Sequence, residues 1–126
     1  MSGWDLKLAK LTASVKCRAA LYGLDASQWA GVSQVKATNL EIKTIIAGFS
    51  SSDSLLRSHP TVEGERFFVT RAEAFQIILK HGPHGAIFAK SLQTVVACLY
   101  DETTTTPSEA FSATSRFVDY LKSVGY

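Results

Sequence analysis

The chain has 126 residues, 46% of them hydrophobic and 19% charged, and carries a formal net charge of +2. That balance fits one packed domain spanning residues 1–126, and it excludes an intrinsically disordered chain. The cations are scattered singly, which excludes the clustered footprint of a nucleic-acid binder, while the start, MSGWDLKLAK, has no apolar signal core and no run approaches the roughly 18 apolar residues of a membrane span, so a cytoplasmic protein is expected.

Trp4, Leu8 and Leu11 fall at helical spacing with Asp5, Lys7 and Lys10 between them, which predicts a short amphipathic helix over 3–11 with Ser2 as its cap. The stretch AALYGLDASQWAG (19–31) reads as a buried strand, a turn at 25–27 and a second strand ending on Trp29. Trp29 stands beside Gln28 and Gly31, at the edge of a core, where it either caps that core or forms a binding surface. Thr38 or Asn39 caps a second helix with Leu40, Ile42, Ile45, Ile46 and Phe49 on its apolar stripe. Residues 53–60 read as a turn-rich connection in which Leu55 and Leu56 are either a satellite of the core or an exposed contact.

Strand signals follow at 61–63 and 66–71, flanking Gly64 and Glu65 as a hairpin, and at 75–80. The glycines and proline of HGPHG (81–85) predict a loop without regular structure. Residues 86–90 and 93–100 form a last hairpin, whose second strand is so apolar that it belongs at the centre of a sheet covered on both faces. After a polar loop, Pro107 opens a final helix with Ala110, Phe111, Phe117, Leu121 and Val124 among its apolar positions, widened by Val118 and Tyr120. The class is therefore α+β. A central antiparallel sheet of six to seven strands is expected, and the two terminal helices have to pack together on one of its faces, with a further helix on the other, if Trp4, Trp29 and Tyr120 are to meet.

No constellation points to catalysis. His81 and His84 share a loop with no third metal ligand in view, and Cys17 has no base partner. Cys17 and Cys98 lack CxxC spacing and are expected to be buried free thiols. The GAIFAKS segment reads as strand rather than phosphate loop, and Asp101 and Glu102 need only be solvated. No catalytic residue, metal or cofactor is expected, and recognition remains.

Along its whole length the chain resembles the profilins. The matching pieces are Trp4, the hairpin YGLDASQWA (similar to the family's G-x-D-G-x-x-W-A), EIKTIIAGF, VEGERFFV, HGAIFAKSLQTVV, the LYDE turn with Pro107, and RFVDYLKSVGY. The resemblance implies a cytoskeletal regulator that binds monomeric actin and proline-rich proteins such as filament elongation factors, with phosphoinositides as further ligands. It places Trp4, Trp29, Tyr120 and Tyr126 in the polyproline site. A polyproline II helix exposes apolar rings and bare carbonyls, and so docks on flat aromatics that offer N–H or O–H donors. Lys7 stands where the family usually has an aromatic. One lost stacking ring is worth about 0.5–1.5 kcal/mol, which predicts proline binding that is weaker or altered in preference.

By position, the resemblance assigns Leu56, Arg66, Val69, Arg71, Lys80, Lys90, Phe111 and Arg116 to the actin surface. These cations around apolar anchors suit an acidic protein and equally suit anionic lipid headgroups. Pro83 and His84 replace glycines common in that loop. The competing reading is a small α/β scaffold of GTPase regulation or membrane traffic without a proline groove. A monomer is the default.

Overall fold

The run 95–99 is buried because it belongs to a strand with a neighbour on each side and helices above and below. The computed structural model describes residues 3–31 and 34–126, and the Ser2 cap lies outside them. Among the described residues the order is α1 (Gly3–Ser14), β1 (Arg18–Gly23), β2 (Gln28–Ala30), α2 (Asn39–Ala47), α3 (Ser52–Ser58), β3 (Thr61–Val62), β4 (Glu65–Arg66), β5 (Phe68–Ala72), β6 (Gln76–His81), β7 (His84–Lys90), β8 (Thr94–Asp101) and α4 (Pro107–Ser123). Six strands form one antiparallel sheet in the order β2-β1-β8-β7-β6-β5, while β3 and β4 make a separate ribbon.

Alternation along the strands divides the core into two. Ala19, Leu21, Val96 and Cys98 face α1 and α4, meeting Leu8, Leu11, Ala113, Phe117 and Leu121. Ala20, Tyr22, Val95 and Ala97 face the other way, toward Ile42 and Ile45 of α2 and Leu55 of α3. Because β1 pairs with β8 (Ala19 opposite Cys98), the helix before β1 and the helix after β8 emerge side by side. The expected α+β architecture, with both terminal helices on one face, is what the chain adopts.

Side-chain caps fix the helix starts. Thr38 accepts from the Glu41 N–H while Glu41 accepts from the Thr38 N–H, a reciprocal capping box. Glu41 also accepts from the N–H groups of Glu63 (3.0 Å) and Gly64 (2.9 Å), tying α2 to the β3–β4 turn. Thr106 caps α4, with Pro107 in its first turn as expected.

Several expectations need correction. Residues 53–60 are not simply turns, since α3 forms there, burying Leu55 and leaving Leu56 exposed. The hairpin expected over 61–71 is shorter. It closes through Glu63 and Gly64, both at positive φ as a tight two-residue turn requires, and the chain then breaks at buried Phe67 before β5 joins the sheet edge. The segment 81–85 is largely strand, because His81 pairs with His84 and only Gly82 (φ +56°) and Pro83 form the turn. Leu40 is 75% exposed rather than on the buried stripe of α2. Cys98 is buried and Cys17 half-buried, both free, and the hydrogen bond from Cys17 to the Cys98 sulfur, reinforced by burial, pushes the Cys17 thiol up.

Candidate functional site

At the sheet edge formed by β2, aromatic side chains from both ends of the chain converge. Trp4 on α1 lies 5.9 Å from Trp29 on β2, ring centre to ring centre, and Tyr126 stands edge-on to both, at 4.8 Å from Trp4 and 6.0 Å from Trp29. All are half-buried, so each keeps part of its ring accessible. Tyr120 on α4 is set slightly apart, stacked on Phe117 at 6.1 Å, and reaches the cluster through Lys7.

Each ring is held by local chemistry. The Asp5 carboxylate accepts from the Gly31 N–H (2.9 Å), pinning α1 to the end of β2 and hence Trp4 against Trp29. Gly31 is at φ +80°, and a Cβ there would lie 2.3 Å from the Ala19 carbonyl oxygen, so no larger residue permits this approach. In the turn, Asp25 accepts from the backbone N–H and the hydroxyl of Ser27, while the Ser27 oxygen accepts from the Trp29 indole N–H (3.2 Å). Those bonds to Ser27 hold the Asp25 carboxyl below the usual range. The tail is anchored too. The main-chain oxygen of Tyr126 accepts from the Gln93 N–H (2.6 Å) and the Ser91 hydroxyl (2.8 Å), and its N–H donates to the Leu121 carbonyl.

Lys7 replaces a ring with a cation, but the cation is not displaced into solvent. Its Nζ donates to the Tyr120 hydroxyl (2.9 Å) and sits 5.7 Å above the Trp4 ring and 5.5 Å from that of Tyr120. Lys10, one helical turn on, lies 5.7 Å from the same Tyr120 ring. This link spans 113 positions of sequence, so no local pattern could have signalled it.

A second surface lies toward the opposite edge of the sheet. On the face that carries α4, Phe68 opposes Lys80 and Arg71 opposes Ile78. Phe68 is 60% exposed, and Lys80 pairs with Glu102 at 3.1 Å. Lys90 lines a cleft of about 250 Å³ with Phe75, Ser115, Asp119 and Lys122, while Phe111 and Arg116 are exposed on α4. Leu56 is exposed on α3, the helix that packs on the α2-side core, and Arg66 is exposed on β4. Arg66 contacts His59 (3.2 Å), whose ring meets Phe68 edge-on at 5.3 Å. Val69 is turned away. It opposes Leu79 and packs on the core of the α2 side. Sequence reasoning passed over Phe68 and Phe75, both well exposed. The available signal was the FF pair, in which Phe67 is buried and Phe68 must point outward.

His81 and His84 bind protein groups. His81 contacts the Arg66 carbonyl (2.7 Å), and His84 the Glu65 carboxylate (2.9 Å), which raises the His84 pKa. Among the described residues no cluster of three or more metal-ligating side chains forms.

The profilin family model matches residues 2–126. The chain belongs to the profilin family. Profilin-3 of Caenorhabditis elegans is 32% identical over 114 residues, covering 86% of each chain. Profilin IA of Acanthamoeba castellanii superposes with a TM-score of 0.89 at 25% identity, covering 98% of this chain and 100% of its own. LokiProfilin1, solved in a complex with rabbit actin, shares the fold with a TM-score of 0.72 at 9% identity, covering 98% of each chain. Among the described residues of this profilin, no helix is long and apolar enough to cross a membrane.

Proposed function

We propose that the Trp4–Trp29–Tyr126 cluster, with Tyr120 beside it, is a site for proline-rich segments, and that the outer face of β5 and β6 with α4 is the surface that meets actin. As a profilin the protein binds actin and regulates its polymerisation. The proline reading rests on one observation, the mutual contact of three half-buried rings drawn from both ends of the chain. A polyproline II helix loses little entropy on docking, and flat rings at these angles offer shallow faces for its pyrrolidines. The Tyr120 hydroxyl accepts from Lys7, which leaves its own proton for a ligand carbonyl.

The actin surface combines Leu56, Arg66, Arg71, Lys80, Lys90, Phe111 and Arg116 with Phe68, which takes the outward place that Val69 does not occupy. That LokiProfilin1 shares this fold and was solved with actin supports the reading. The same cations suit phosphoinositide headgroups. The protein works in the cytoplasm with the cytoskeleton, as a binding module rather than a catalyst. By holding an actin monomer while the aromatic site grips a proline-rich elongation factor, it raises the local monomer concentration at a growing filament.

Titration with polyproline, followed by intrinsic tryptophan fluorescence, tests the groove. The parent protein is expected to give a saturable change that Trp4→Ala loses. A change of equal size and midpoint in Trp4→Ala, or no change in the parent, contradicts it.

A further inference from the structure

We propose that this groove selects proline-rich segments that carry an acidic side chain, with Lys7 as its counter-ion and Lys10 supporting it. The inference rests on the reading of the groove as a proline-rich-segment site and adds its preference. Lys7 Nζ is held between the Trp4 and Tyr120 rings by two cation–π contacts and one hydrogen bond. An ammonium has three donors, and that bond to Tyr120 uses one.

Among the described residues neither Lys7 nor Lys10 is in an ion pair. Asp5, two positions before Lys7, accepts from the Gly31 N–H, and Asp119, next to Tyr120, lines the cleft that Lys122 and Lys90 also line. Two cations thus flank the aromatic rings without an acidic partner, where the neutral carbonyls of a proline-rich ligand can accept from Lys7 but do not offset the charge it loses to desolvation. A carboxylate on the ligand restores that loss. It also supplies the charge complementarity that distinguishes one proline-rich partner from another. Geometry favours the same conclusion, because Lys7 lies between Tyr120 and Trp4 and therefore within reach of any segment that spans those rings.

The test uses dye-labelled peptides of equal length: ten prolines, the same peptide with one central Asp, and its Asn counterpart. Each is titrated into the full chain by fluorescence anisotropy at low and high salt. The Asp peptide is expected to bind about three- to five-fold tighter than the Asn peptide at low salt, the range of a partly exposed ion pair, with the gap closing as salt screens it. Lys7→Gln is expected to abolish the gap, lowering the affinity for the Asp peptide to that for the Asn peptide whatever it does to proline binding itself, and Lys7→Arg to retain it. Equal binding of the Asp and Asn peptides to the parent overturns the proposal and leaves the proline site standing. Binding of none of the peptides overturns both. The peptide-side exchange needs no variant, so a poorly folded Lys7→Gln does not shelter the proposal.

Discussion

Gly31 and Gly64 adopt almost the same backbone angle, φ +80° and +81°, yet their surroundings differ. A Cβ at Gly64 would meet nothing within 4 Å, whereas at Gly31 it would overlap the Ala19 carbonyl and the Ala20 Cα at 2.6 Å. Gly64→Ala therefore carries only the left-handed backbone cost, about 1–2 kcal/mol. Gly31→Ala adds a steric clash with main chain, for a total of about 2–5 kcal/mol. Chemical denaturation of the two variants measures the difference, and equal losses would contradict the close packing of β2 on β1. Ala26 presents the opposite balance. It sits at φ +71°, where the family hairpin pattern has glycine, but its methyl is buried in the α2-side core, and a buried methyl is worth about 0.8 kcal/mol against the backbone cost.

At the scale of elements, Glu41 joins α2 to the β3–β4 ribbon. Partial burial pushes its carboxyl up, but the N–H groups of Gly64, Thr38 and Glu63 and the Thr61 hydroxyl outweigh burial and hold it below the usual 4.5. Glu63 is held low by the Arg18 guanidinium at 2.8 Å, which overcomes its own burial. Depressed carboxyl pKa values contribute stability that is present above the unfolded value and is lost as the pH falls through the folded one. The protein is thus expected to lose stability below about pH 4.5. Glu41→Gln is expected to be less stable at pH 7 by about 1–2 kcal/mol and to lose less on acidification. Denaturation midpoints at pH 7 and pH 3.5 check this, and an unchanged acid loss in the variant contradicts the role of Glu41.

The same scale shows what the amino-acid pattern could and could not convey. The apolar run 95–99, the 19–31 hairpin and the Thr38 cap were legible because burial on both faces, turn chemistry and capping leave local marks. Helix α3 was not, since a seven-residue SDSLLRS carries too short an apolar period. HGPHG reads as a breaker, yet glycine followed by proline suits a two-residue turn between paired strands. In β5 strict alternation groups Val69 with Arg71. The register shift between them instead puts Phe68 and Arg71 on one face and turns Val69 to the core. The aromatic site was visible through the family resemblance. The Lys7–Tyr120 bond depends on two helices meeting across the whole chain.

On the scale of the molecule, Trp29 on β2 and Phe68 on β5, one from each proposed surface, lie at opposite ends of the strand order β2-β1-β8-β7-β6-β5, while α4 carries Tyr120 of the one and Phe111 and Arg116 of the other. Five steps of about 4.8 Å separate the edge strands by roughly 24 Å. A proline-rich segment on Trp4 and Trp29 therefore leaves the β5–β6 face open, and both partners can be held at once. Sedimentation velocity of a dye-labelled proline-rich peptide, mixed with the protein and then with monomeric actin, tests this directly. The account predicts that the peptide moves into a faster species containing both proteins. Release of the peptide when actin is added would contradict it.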